Sequence, residues 1–224
     1  MIFKLSGGQT SPHPANAVVS MRCPSCKQIG TFDPIFQAGT NRQNGVTDLA
    51  LTKQGNIQHF FGQRSCPNST CLAHIFFVYD ASKNQIAVSY PAERIDFDTT
   101  KVPPPVVSAL EEAITCHANQ CFVAAAIMVR KTLEELCADR GAKGSNLKDR
   151  IKSLGTNVVL PADLLEGLHD LRLLGNDAAH IESQVYGKVD QEEVEVAIDV
   201  TKEVLKAVYQ YSALVDRLKA LKKP

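Results

Sequence analysis

Apolar positions along the 224-residue chain keep two different periods, and the change between them divides the sequence. From residue 18 to residue 90 they fall in short runs separated by Gly, Pro, Asn and Ser. Runs punctuated in this way predict strands joined by turns, here over 18–22, 30–32, 58–63, 74–79 and 85–89. Residues 37–56 are polar, contain glycine and hold only a weak period, so a long hairpin connection or mobile loop is expected there. Residues 95–105, IDFDTTKVPPP, mark the boundary, because three consecutive prolines cannot lie inside a helix but can lead into one.

Beyond that boundary the period becomes helical. Helices are predicted over 105–118 and 119–140, the second stopped by the glycines at 141 and 144. A short one capped by Ser145 should cover 146–154, and Pro161 should open the next. In that central helix Leu164, Leu168, Leu171, Gly175, Ala178 and Ala179 form one apolar stripe, while Arg172, Asn176 and His180 run along its flank at four-residue intervals. Leu173 and Leu174 point elsewhere, so the helix should be surrounded by other helices or by a second copy of the chain. The last helix, 191–222, carries Ala197, Val200, Val204, Val208, Tyr211, Val215 and Leu218 at spacings of 3, 4, 4, 3, 4 and 3. Such a seam would be roughly 45–50 Å long, longer than the shorter helices can cover, so its end is expected to pair with another chain.

A hydrophobic content of 44% is enough for a proper core. Charge adds little: 24 basic and 24 acidic residues cancel, so there is no general electrostatic case for nucleic acid. Residues 1–101 carry nine basic against six acidic side chains and residues 102–224 carry 15 against 18, an asymmetry too small to name a partner. The first eight residues, MIFKLSGG, hold no apolar core of signal-peptide length, and no later run approaches a membrane span. A cytoplasmic protein is expected. In a reducing compartment its seven cysteines should be metal ligands or core thiols rather than disulfides.

Four of them have metal spacing. Cys23-Pro-Ser-Cys26 and Cys66-Pro-Asn-Ser-Thr-Cys71 are a C-x2-C and a C-x4-C pair, each opening Cys-Pro at what reads as a tight turn. Two thiolates on one turn can take adjacent corners of a tetrahedron, and a second such turn closes it without an open position for water. Cys23, Cys26, Cys66 and Cys71 are therefore expected to hold one structural Zn2+ per chain, supplying folding energy to a sheet with a thin core. His59 and His74 read as strand residues. Cys116, Cys121 and Cys137 sit at helical spacing among Ala, Val, Ile and Leu and are assigned to the core.

The run LEEAITCHANQCFVAAAIMVRKTLEELCADRGAKGSNL, followed by LHDLRLLGNDAAH, resembles the bacterial domain-of-unknown-function family 4145. The cysteine pairs with SYPAERIDFDTT resemble the zinc-ribbon-like head often joined to it. That family is similar to the HEPN superfamily of helical bundles, found in toxin–antitoxin, restriction and other anti-phage systems, often as dimers. The resemblance implies an α+β chain: a zinc-ribbon-like antiparallel β module over 1–101, then a HEPN-like bundle over 102–224 that dimerises through its central and last helices. Many HEPN proteins are metal-independent ribonucleases whose motif is an Arg, four to six residues, then a His. Here seven residues separate Arg172 from His180, and Gly175 stands where an RNxxAH-like string would place its Arg before Asn176.

Cleaving RNA without a metal needs a base for the 2′-OH proton, an acid for the leaving oxygen and a cation for the growing phosphate charge. The resemblance makes Arg172 the phosphate clamp, Asn176 the orienter and His180 the acid/base. About 12 Å of helix separates Arg172 from His180, so such a site would require the antiparallel helix of a second copy. In the structural account, Asn176 and His180 bond backbone groups or each other, and Arg172 pairs with a carboxylate such as Glu134 or Asp177. Two functions follow: a defence-associated endoribonuclease, or a non-catalytic adaptor binding nucleic acid or a protein of a restriction or toxin system.

Overall fold

The structure is a computed structural model and describes residues 8–14, 17–35, 47–53, 56–157, 160–179 and 189–221. It divides into two compact units, Met1–Arg94 and Ile95–Pro224. The class is α+β, with an antiparallel sheet in the first unit and helices in the second.

In the first unit β1 (Gly8–Pro14), β5 (Thr47–Lys53), β6 (Asn56–Ser65), β7 (His74–Asp80) and β8 (Gln85–Tyr90) lie side by side in that order, all antiparallel. The short β4 (Asp33–Pro34) adds to β6, and β2 (Ser20–Arg22) pairs β3 (Ile29–Thr31) as a separate ribbon. Strand alternation sets the buried face: on β7, Ile75 and Phe77 point in while His74 and Phe76 point out. Val19, Met21, Phe32, Ile75 and Phe77 form the core together with Cys23 and Cys66.

Two strands differ from the sequence expectation. Residues 47–53 form β5 in the interior of the sheet rather than a loop, and β1 pairs with it along its whole length. The cause is Asp48, a charge facing the core, where Arg64 meets it in a two-pronged bond at 2.7 and 2.6 Å with neither side chain exposed. Gly62 of β6 makes room, since a Cβ there would stand 2.6 Å from Asp48 Oδ1.

The second unit begins before its first helix. Ile95 and Phe97 pack on the helical core and Val102 lies in it, so the stretch read as a boundary belongs to the helical unit. Helix α1 (Pro104–Ala118) starts on its prolines and buries Val106, Leu110, Ala113 and Ile114. Gln120, at φ 61°, ends it, so α2 covers Phe122–Asp139 rather than starting at 119. Alanines at 125 and 126, with Val129, Leu133 and Leu136, give α2 a buried face that packs chiefly against α1 and α4. Helix α3 (Leu147–Asn157) is capped by Asn146, whose Oδ1 accepts from the Asp149 amide at 3.0 Å. Helix α4 spans Ala162–Ala179, and a capping box of Asp190 and Glu193 opens α5 (Gln191–Leu205).

The expected continuous last helix is interrupted. Residues Lys206–Gln210 form a π-helical turn before α6 (Tyr211–Ala220). Distant groups hold this turn: Arg140 donates to the Val208 carbonyl at 3.2 Å, and Gln210 donates to the carbonyls of Asp98 and Thr100. A π turn inserts an extra residue into the repeat, so the seam loses its register there. Val204 and Val208 are buried, whereas Val215 and Leu218 are exposed. Among the described residues no helix is long and apolar enough to cross a membrane.

Candidate functional site

The two cysteine pairs sit on tight turns that backbone bonds close locally. In the first, the Lys27 amide donates to the Cys23 carbonyl at 3.0 Å, with Lys27 in the left-handed region at φ 66°. In the second, the amides of Cys71 and Leu72 both donate to the Asn68 carbonyl, and Leu72 takes φ 49°. Asn68 also joins the turns: its Oδ1 accepts from the amide and hydroxyl of Thr70, and its Nδ2 donates to Gln28 Oε1 at 3.1 Å. Gly30 lets them approach, because a Cβ there would stand 2.9 Å from Pro67 Cγ.

This brings the thiols of Cys23, Cys26, Cys66 and Cys71 within 4.8 Å of one another, an arrangement that could hold a metal ion. Cys23 lies 3.8 Å from Cys71 and Cys26 lies 3.7 Å from Cys66, sulfur to sulfur. Four thiolates placed tetrahedrally about 2.3 Å from one ion would have edges of about 3.8 Å, whereas a disulfide needs about 2.05 Å. Cys23 and Cys66 are buried at the end of the sheet core, while Cys26 and Cys71 are partly exposed. Burial pushes the Cys66 thiol up to about 12, whereas the Ala73 amide and then the Ser25 hydroxyl bring Cys71 down to about 7. His59 and His74 lie on strands outside the cluster.

In the helical unit, α2 and α4 cross at Gly175. A Cβ at that position would stand 2.5 Å from Arg130 Cβ and 3.2 Å from the Ala126 carbonyl oxygen, so only a hydrogen allows this approach. Arg130 Nη1 donates to Asn176 Oδ1 at 2.7 Å and reaches the Arg172 carbonyl at 3.4 Å. Its Nε faces Glu134 at 3.3 Å. The arginine beside Asn176 is thus Arg130 of α2, and Arg130 holds Glu134, one of the two carboxylates expected for Arg172; the side chain of the other, Asp177, lies outside the described residues. Arg172 is half-buried, and its Nε is shielded from solvent without a hydrogen-bond partner among the described residues. His180, the expected acid/base, lies outside the described residues.

This crossing falls within a stretch of recognisable kinship. A family model described as a domain of unknown function, DUF4145, matches residues 111–223. The chain belongs to the DUF4145 family. No match is found among the curated proteins or the solved structures. The DUF4145 segment contains Arg130, Glu134, Gly175 and Asn176, whereas the four clustered cysteines precede it.

Several of these residues went unnoticed in the sequence. Arg130 gives no one-dimensional signal, since four residues before Glu134 it reads as half of a solvated helix pair. Asn68 was more accessible: an Asn two residues before a Thr inside a Cys-x4-Cys turn is a ready Asx-turn.

Proposed function

We propose that this DUF4145 chain is a non-catalytic adaptor: a zinc-stabilised, ribbon-like β module joined to a HEPN-like helical bundle that binds a protein partner in a defence system of the restriction or toxin class. The observation that carries this reading is the commitment of Asn176 to Arg130, itself paired with Glu134. Side chains occupied in this way fix how α2 meets α4 and are poorly placed to orient a substrate. The near equality of acidic and basic residues favours a protein over nucleic acid as the partner. Zinc is the metal we assign, because a closed four-sulfur tetrahedron suits it and leaves no position for catalytic water. The exposed apolar side chains of α6, Tyr211, Leu214, Val215 and Leu218, support a homodimer.

One observation favours a second reading, a metal-independent endoribonuclease. Arg130 supplies next to Asn176 the cation that Gly175 displaces from the motif, and His180 follows Asn176 by four residues. In that reading Arg130 or Arg172 grips phosphate, Asn176 orients it and His180 transfers protons. Incubating the purified full chain with single-stranded RNA and excess chelator separates the two. The adaptor reading expects intact RNA. Fragments with cyclic-phosphate ends that vanish in a folded His180→Ala variant would replace it with the ribonuclease. Stable RNA binding without cleavage would overturn the choice of a protein partner.

A further inference from the structure

Cys116 and Cys121 were expected in the core; Cys116, in the last turn of α1, packs at its edge, whereas Cys121 is exposed just before α2. The turn ends α1 with two backbone bonds, from the Gln120 amide to the His117 carbonyl and from the Cys121 amide to the Cys116 carbonyl, both 2.9 Å. With Gln120 in the left-handed region, this is the Schellman arrangement, in which the side chains of the first and sixth residues commonly meet. Here both of those residues are cysteine.

The bond itself limits their separation. From Cα of Cys116 to its carbonyl oxygen is about 2.4 Å and from the amide nitrogen of Cys121 to its Cα about 1.5 Å. Joined by a 2.9 Å hydrogen bond, the two Cα atoms cannot be farther apart than about 6.8 Å, the outer end of the range a disulfide spans. Cys121 is exposed and its Sγ lies 3.6 Å from the Asn119 carbonyl oxygen, with no stronger bond among the described residues, so rotation about χ1 is open to it. Cys116 is half-buried against the edge of the helical core.

We infer that Cys116 and Cys121 are a reversible oxidation site, closing to an intramolecular disulfide across the α1–α2 turn when the protein meets a hydroperoxide. The exposed Cys121 thiolate attacks one peroxide oxygen: a sulfur–oxygen bond forms, the oxygen–oxygen bond breaks, and the other oxygen leaves as alcohol, or as water from hydrogen peroxide, after taking a proton. Cys121 is then a sulfenic acid. Cys116 attacks that sulfur, the sulfur–sulfur bond forms, and hydroxide leaves as water with the proton Cys116 gives up. The two sulfurs together lose two electrons and the peroxide gains them. A dithiol reductant reverses the bridge by exchange.

The order of events follows from access. Burial first, and then the neighbouring Cys121, raise the Cys116 thiol, which suits the resolving rather than the attacking role. Cys137 is a control within the same unit: it is 1% exposed, and burial raises it to about 11, so it should stay a thiol.

The test uses the whole 224-residue protein, purified with zinc in the buffer, treated with hydrogen peroxide, then alkylated, digested and read by mass spectrometry. The expected product is a peptide carrying both cysteines, lighter by two hydrogens, unalkylated, and restored by dithiothreitol. In Cys121→Ser, which cannot close the bridge, Cys116 should stay at least tenfold less oxidised than in the wild type and remain alkylatable. In Cys116→Ser, Cys121 should accumulate as a sulfenic acid trapped by dimedone. Circular dichroism of each variant confirms that the fold is kept. If wild-type Cys116 remains alkylatable while Cys121 is oxidised, or if neither reacts under conditions that oxidise an exposed model thiol, the inference is wrong.

Discussion

Arg130 and Asn176 meet across the crossing of α2 and α4 in a 2.7 Å bond between residues 46 apart in sequence. Removing Asn176 would leave a half-buried guanidinium short of an acceptor, a loss of about 1–3 kcal/mol. Asn176→Ala should therefore lower the urea midpoint of the helical unit, and Arg130→Ala should do the same. The double variant should cost less than the two single losses added together, because each removes the same bond. Additive losses would place the two side chains in separate roles.

Gly175 sets the distance at which that bond forms. A methyl group at this position would overlap Arg130 Cβ, at 2.5 Å, and crowd the Ala126 carbonyl oxygen, at 3.2 Å. Neither is the free end of a flexible chain, so α2 and α4 must separate. Gly175→Ala is expected to destabilise the helical unit by about 1–3 kcal/mol despite its better helix propensity. A neutral or raised melting temperature would show that the helices can part without loss.

How much of this could be seen in one dimension depended on the range of the interaction. The two cysteine turns were visible because their signal is local: paired cysteines, each pair opening Cys-Pro. The start of α1 and the end of α2 followed from prolines and glycines in the same way. Strand β5 was missed because Asp48 makes a polar run look solvated, and only Arg64, sixteen residues later, explains how a carboxylate enters the core. The π turn was missed because the 3-and-4 spacing runs on unbroken. The groups that hold the turn, Arg140 and the carbonyls of Asp98 and Thr100, come from elsewhere in the chain.

The Asp48–Arg64 pair is fully buried, and the guanidinium also lies 4.6 Å from the centre of the Phe77 ring. Removing one partner strands the other charge in the sheet core, at a cost of about 3–5 kcal/mol. Asp48→Ala and Arg64→Ala should each unfold the β unit at markedly lower urea. Replacing both residues with apolar ones of similar volume should recover most of that loss. Failure of the double replacement to recover stability would mean that the pair specifies the register of β5 and β6 as well as balancing charge.

Metal removal should act on one unit only. The zinc reading predicts one ion per chain by elemental analysis of the purified 224-residue protein. A strong chelator should abolish the cooperative unfolding of the β unit and leave the helical transition in place, because the cysteine cluster belongs to the first unit. Cys66→Ser should behave like the chelated protein, since Cys66 is buried among the core residues. A metal-free chain with an unchanged β transition would reject the zinc assignment.

Tyr209 gives the helical unit a sensitivity to alkali. Burial, and then its 2.8 Å hydrogen bond to Asp139, raise the phenol above its ordinary value of 10.0, while the Arg140 guanidinium 4.2 Å from the ring centre opposes the shift. Once the pH exceeds 10.0, an unfolded chain releases the phenolic proton while the folded chain retains it. The folded state then binds more protons, so its stability, fully present below that point, must fall as the pH rises further. Urea midpoints of the helical unit should hold level from about pH 8 to about pH 10 and decline toward about pH 11. Tyr209→Phe should lose about 0.5–1.5 kcal/mol at neutral pH, from the bond to Asp139, and flatten most of the alkaline decline. If the variant keeps the full slope, the alkaline loss arises from another group.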